Sequence, residues 1–161
     1  EIRRYVRAAS PDTRIVSKTS EADAILQVVR NERTLREVSL NAQGRVEEYE
    51  LGINFTFRLI TAKGVAILPD TRLSIYRDLP YDDQALQAKE IQTESLYESM
   101  QQALVERLLQ RLTAPDVRTA YKAAMDGTES PDTPVYDPHI EMKDDRPASW
   151  RTPHLPGAGS W

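Results

Sequence analysis

The sequence has no cysteine, which removes disulfides, thiolate metal sites and a cysteine nucleophile at once. It also leaves the redox compartment unmarked, because a cysteine-free chain fits either side of a membrane. Histidine is scarce. His139 and His154 both lie in the last quarter, so a Ser-His-Asp triad has no base in the rest of the chain. Gly44, Gly52 and Gly64 are the only glycines before residue 115, and none sits in a phosphate-binding loop pattern. No run approaches the roughly 18 apolar residues of a membrane-spanning helix. No leader pattern, a charged start followed by an apolar stretch, opens the chain at Glu1.

What is present divides in two. The 161 residues carry a net charge of -4 and are 40% hydrophobic and 29% charged, the size of one domain with a tail. Seven of the ten prolines follow residue 114. From Thr128 onward Pro, Asp, Thr, Ser and Gly dominate without periodicity, a composition that buries too little apolar surface to offset its ordering entropy. Residues 116–125 (DVRTAYKAAM) have the composition of a short helix. The expected division is therefore a domain over 1–114 and a proline-rich, disordered tail over 115–161. Residues 1–114 hold 16 basic and 17 acidic side chains, and 115–161 hold 5 and 8. A near-neutral domain without a basic stripe argues against nucleic acid as a partner.

Periodicity sets the fold class. Tyr49, Leu51, Ile53, Phe55, Phe57 and Leu59 alternate with polar residues or glycine, which is a strand with one face on a core. Before it, Ala24, Leu26 and Val28 begin an alternating run that Val38 and Leu40 resume. Arg30, Glu32, Thr34 and Arg36 interrupt it on the same parity, so this strand either outruns the core or bulges. Residues 41–44 (NAQG) and 61–64 (TAKG) read as hairpin turns. A third strand follows from about Ala66 to Arg77 with Leu73 and Ile75 facing in, and Pro69 places it at an edge or across a bulge. Asp82 or Asp83 would cap a helix over about 85–112, with Leu96, Met100, Leu104 and Leu108 as its stripe and Pro115 as its stop. Ile2, Tyr5, Val6 and Ala9 keep helical spacing up to Ser10 and Pro11. The expected fold class is α+β, two helices packed on one face of a mainly antiparallel sheet of three long strands.

Chemistry is sparse. No metal-ligand spacing is present, and no cofactor is expected. Glu48 and Glu50 share the polar face and form the one conceivable carboxylate pair, with a solvated sheet face as the competing reading. Arg30, Arg33, Arg36 and Arg45 gather around the first hairpin, and Lys89 lies in the first turns of the long helix. They suit an anionic ligand such as a phosphorylated lipid, or an ordinary charged surface that guards a strand edge.

The segment 44–51 (GRVEEYEL) with the alternation after it, 73–82 (LSIYRDLPYD), 85–90 (ALQAKE) and 108–112 (LLQRL) occur in an order and spacing that resemble the lipopolysaccharide-assembly lipoprotein family LptE, older name RlpB. Residues 20–26 (SEADAIL) fit the approach to that family's second strand. The resemblance covers about residues 1–113. It implies a two-helix, four-stranded α+β sandwich on the periplasmic side of the cell outer membrane, non-enzymatic. Such a protein plugs the β-barrel LptD in a 1:1 complex, supports the barrel's assembly and binds lipopolysaccharide on its way to the outer leaflet. Against the family layout, this chain would lack the first strand and the N-terminal lipid that attaches it to the membrane. Lys89 in ALQAKE matches a family position implicated in binding lipopolysaccharide phosphates. The family's arginine at the hairpin tip falls on Ala42 here, a departure that leaves Arg36 and Arg45 as substitutes. Asn41, Gln43 and Gly44 at that tip are the expected partner interface. The competing class is a stand-alone periplasmic small-ligand domain or enzyme using Glu48 and Glu50.

Overall fold

Strict alternation builds the central strand. In β2 (Val46–Thr61) Tyr49, Leu51, Ile53, Phe55 and Phe57 are all buried, as the period of two requires when one face meets a core. β1 (Ala24–Leu40) and β3 (Ala66–Pro80) flank it in one antiparallel sheet of order β1-β2-β3. Around the sheet stand α1 (Ile2–Ala9), a 3-10 turn over Thr19–Glu21, α2 (Leu86–Leu112) and α3 (Pro115–Asp126). The computed structural model describes residues 2–9, 11–81 and 86–139, so the expected caps Asp82 and Asp83 and the expected terminator Ser10 lie outside the described residues. The α+β class is thus the observed one, and α3 is the short helix that residues 116–125 suggested.

Both hairpins share one construction. Asn41 N–H donates to the Arg45 carbonyl at 2.8 Å and Gly44 N–H to the Asn41 carbonyl at 2.9 Å. Thr61 N–H donates to Val65 and Gly64 N–H to Thr61, each at 2.9 Å. Each loop has three residues and closes on a glycine at positive φ, +75° for Gly44 and +89° for Gly64, the conformation that favours glycine. A side-chain oxygen reinforces each turn. Asn41 Oδ1 accepts from Arg45 N–H at 2.9 Å, and Thr61 Oγ1 from Val65 N–H at 3.1 Å.

The chain folds into two compact units, and every strand and α2 contribute to both. Unit 2 comprises 31–55 and 74–104 among the described residues. Its core joins the inward face of β2 to Ile75, Leu79, Tyr97, Met100 and Leu104. Met100, Leu104 and Leu108 of the expected α2 stripe are buried, and only its first member differs. Thr93 and Tyr97 are buried, while Leu96 is half-buried. Tyr97 wins its place because its hydroxyl reaches the Thr34 carbonyl at 2.8 Å, which satisfies the one polar atom its burial brings inside.

Unit 1 comprises 2–30, 56–73 and 105–139 among the described residues. Pro115 starts α3 at its first turn, where a missing N–H costs nothing, and Gly127 ends it at φ +68°. The disorder expected from residue 115 does not describe residues 115–139. α3 buries Val117, and Val135 pairs with Val65 in an antiparallel bridge. The reason is tertiary: main-chain groups of the tail find partners on the β2–β3 turn, which composition does not reveal. Residues 140–161 lie outside the described residues. Pro69 sits in β3, an edge strand, in line with expectation.

Candidate functional site

The first hairpin tip belongs to unit 2. Asn41 is its organiser, since its Oδ1 also accepts from Gln43 N–H at 3.0 Å. Asn41, Gln43, Gly44 and Arg45 therefore form one bonded loop, as the sequence places them. Ala42, Gln43, Gly44 and Arg45 are exposed and Asn41 is half-buried.

Arg36 does not join them. The Asn41–Arg45 pairing sets the β1–β2 register, which puts Arg36 opposite Glu50, and the two form an ion pair of 2.7 Å. Five residues of strand separate Arg36 from Asn41, about 17 Å at the usual rise. Arg36 is thus a partnered cation on the strand body rather than a second charge at the tip. Its side chain is 70% exposed, and such exposed pairs contribute about 0–1 kcal/mol, so the arginine can exchange its partner cheaply.

Lys89 lies in the first turns of α2, and its side chain is outside the described residues. α2 covers the face of the sheet opposite to Arg36. Arg33, three residues earlier on β1, meets Glu94 of α2 at 3.2 Å and lies 4.7 Å from the centre of the Tyr97 ring. Arg36 and the Glu94–Tyr97 stretch of α2 therefore lie on opposite sides of the sheet in unit 2.

Glu50 is engaged by Arg36 in an ion pair on its own face of the sheet. Among the described residues no group of three or more His, Cys, Asp or Glu is placed to hold a metal.

The sequence reading missed the apolar character of the open sheet face in unit 2. Val38 and Leu40, which resume the alternation of β1, are 44% and 58% exposed. They share the face of Arg36, and Tyr76 of β3 is exposed there too. Gln27 of β1 donates to the Asp137 carbonyl at 2.8 Å in unit 1, and Arg33 of β1 meets α2 in unit 2. Tyr76 lies over Gly52, where a Cβ would meet its ring at 2.9 Å, and its hydroxyl reaches Asn54 Oδ1 at 3.1 Å. Asn54 Oδ1 also accepts from Ser74 at 2.8 Å.

Unit 1 contains an open cavity of about 900 Å³ whose walls include Val6, Ile15, Leu26, Leu59, Leu109 and Tyr121. Arg36 and Arg45 do not line it.

A three-stranded antiparallel sheet backed by a long helix, with an ordered polar tip and an open mixed face, defines an α+β domain. The LptE family, described as lipopolysaccharide-assembly, matches residues 1–112, and the chain belongs to that family. That membership gives it a role in lipopolysaccharide assembly, within a non-enzymatic lipoprotein family of the cell envelope and outer membrane. The chain is similar to the solution structure of an uncharacterized lipoprotein B from Nitrosomonas europaea at 27% identity and a TM-score of 0.61, covering 78% of this chain and 80% of that one. It shares the fold of the crystal structure of rare lipoprotein B from Shewanella oneidensis at 24% identity and a TM-score of 0.61, covering 73% and 86%. No curated protein matches the chain.

Proposed function

We propose that this protein is a plug for an LptD-type outer-membrane β-barrel, in a 1:1 complex on the periplasmic side, and that it contacts lipopolysaccharide during delivery to the outer leaflet. The observation that carries this reading is the first hairpin. Its tip is exposed, polar and fixed by two acceptor bonds at Asn41, so it offers a rigid probe to a polar lumen wall. Asn41, Gln43 and Gly44 are the proposed barrel contacts. Val38, Leu40 and Tyr76 on the open face supply apolar area beside them.

Lys89, Arg36 and Arg45 are the proposed phosphate contacts. The separation of Arg36 from the tip favours separate cationic contacts over one pocket. An exposed ion pair such as Arg36–Glu50 yields to a divalent anion at little cost.

The test joins two measurements. A photo-crosslinker at Gln43 in the envelope of the source cells is expected to capture an outer-membrane β-barrel. A tag on this chain is expected to recover the same barrel at 1:1. A monodisperse chain with no barrel in either assay would overturn the plug reading. Lys89→Glu is expected to weaken lipopolysaccharide binding and reduce its salt dependence, and an unchanged salt slope would remove Lys89 from the contacts.

A further inference from the structure

The segment after α3 departs furthest from what its composition implies. Within unit 1, Thr133–His139 runs across the sheet rather than away from it. Ala66 N–H donates to the Pro134 carbonyl at 2.9 Å, and Tyr136 N–H to the Gly64 carbonyl at 2.8 Å. Gly64 permits this approach because a Cβ there would run into the Tyr136 carbonyl oxygen. Next, the Tyr136 ring centre lies 3.8 Å from the guanidinium carbon of Arg58 on β2. Then the Gln27 amide of β1 donates to the Asp137 carbonyl. One short segment thus grips the start of β3, then β2, then β1.

Arg58 is the middle anchor. Its side chain is 16% exposed, its Nε stands 2.8 Å from Asp70 Oδ1 in an ion pair, and its Nη2 donates to Asp70 Oδ2 at 3.4 Å. Tyr136 closes over the planar group that this pair leaves facing outward. Ile60, two residues on and on the same face, is fully buried. The grip itself is polar. Val135 is 70% exposed, so the segment contributes main-chain bonds and a cation–π contact rather than an apolar anchor. Segments held in this way open at lower free energy than the core they cover.

We propose that Thr133–His139 is a reversible strap. Closed, it covers the Gln27 and Arg58 face of unit 1. Open, it uncovers the Arg58–Asp70 pair, the Ala66 N–H and the Gly64 carbonyl. The strap is then the resident occupant of a strand-pairing rim, and it decides whether that face is available.

Native-state hydrogen exchange on the intact chain tests this. The Ala66 and Tyr136 amides are expected to exchange together, at least about tenfold faster than Ile53 and Phe57 in β2, and independently of low denaturant. Tyr136→Ala is expected to speed Ala66 exchange by about tenfold or more while β2 keeps its rates. Arg58→Lys, which keeps a charge for Asp70 but loses the planar stacking, should act in the same direction by a smaller factor. Exchange of Ala66 at the rate of Ile53 would make the strap part of the core and overturn the proposal. An Ala66 rate unmoved by both variants, or β2 rates that rise in step with it, would do the same.

Discussion

Tyr97 and Thr34 are joined by a 2.8 Å hydrogen bond in which the phenol of α2 donates to a main-chain carbonyl of β1. The ring is fully buried, and burial pushes the hydroxyl up to about 12, with Arg33 opposing the shift and Glu94 adding to it. The bond therefore joins helix to sheet only while the phenol keeps its proton.

A pH dependence follows. The unfolded phenol titrates near its ordinary value of 10.0 and the folded one near 12, so above pH 10 the unfolded state sheds its proton first. The stabilisation is complete below pH 10 and is lost as pH rises through 12. Urea midpoints measured from pH 9 to 12 should fall more steeply for the native chain than for Tyr97→Phe. Parallel curves would show that Tyr97 does not carry the effect.

Gly52 and Thr34 face each other across β1 and β2. A Cβ on Gly52 would collide with the Thr34 hydroxyl and press on the Tyr76 ring. Gly52→Ala should cost about 1–3 kcal/mol, the usual range for overpacking. Adding Thr34→Ala should recover part of the loss. A double-mutant cycle by urea denaturation checks this, and strictly additive losses would locate the strain elsewhere.

Asn41→Ala removes the acceptor for two main-chain N–H groups of the first turn. Each such bond contributes about 0.5–1.5 kcal/mol, so a loss of about 1–2 kcal/mol is expected for an exposed turn that water partly repairs. Exchange rates of the Gln43 and Arg45 amides should rise in the variant. If they keep their native rates, the side chain is not the organiser.

Asp116 opens α3 beside Arg111, whose guanidinium bonds both carboxylate oxygens at 3.0 and 2.9 Å. That bond holds the carboxyl below its ordinary value. A depressed value gives a contribution that is present above the unfolded titration near 3.8 and is lost as pH falls through the folded one. An NMR titration should show Asp116 moving back up in Arg111→Gln. No movement would assign the depression to the helix start instead.

The parts of the fold that local pattern dictates were legible. Tyr49 to Phe57 alternate because one face of β2 meets a core for its whole middle, and Gly44 and Gly64 mark turns because only glycine takes those angles readily. The exposure of Val38 and Leu40 was not legible, because alternation alone does not say how far along a strand the core extends. Tyr97 displaced Leu96 from the α2 stripe through a partner 63 residues away in sequence, which periodicity does not see. The strap was invisible for the same reason, since its main-chain bonds depend on where the β2–β3 turn lies. The hairpin-tip residues were legible together as a turn. The Arg36–Glu50 pairing was implicit in that turn, because fixing Asn41 opposite Arg45 fixes every pair down the ladder.

The shared construction of the two hairpins bears on how the sheet forms. Each neighbouring strand pair is joined by a three-residue loop, and no strand waits for a distant segment to insert beside it. Both ladders can start at their turns on the microsecond scale typical of hairpins and zip away from them. The slow, entropically costly step is then the docking of α2, whose contacts such as Arg33 with Glu94 span 61 residues. Substitutions in the turns should change how fast the chain folds, and substitutions under α2 how fast it unfolds.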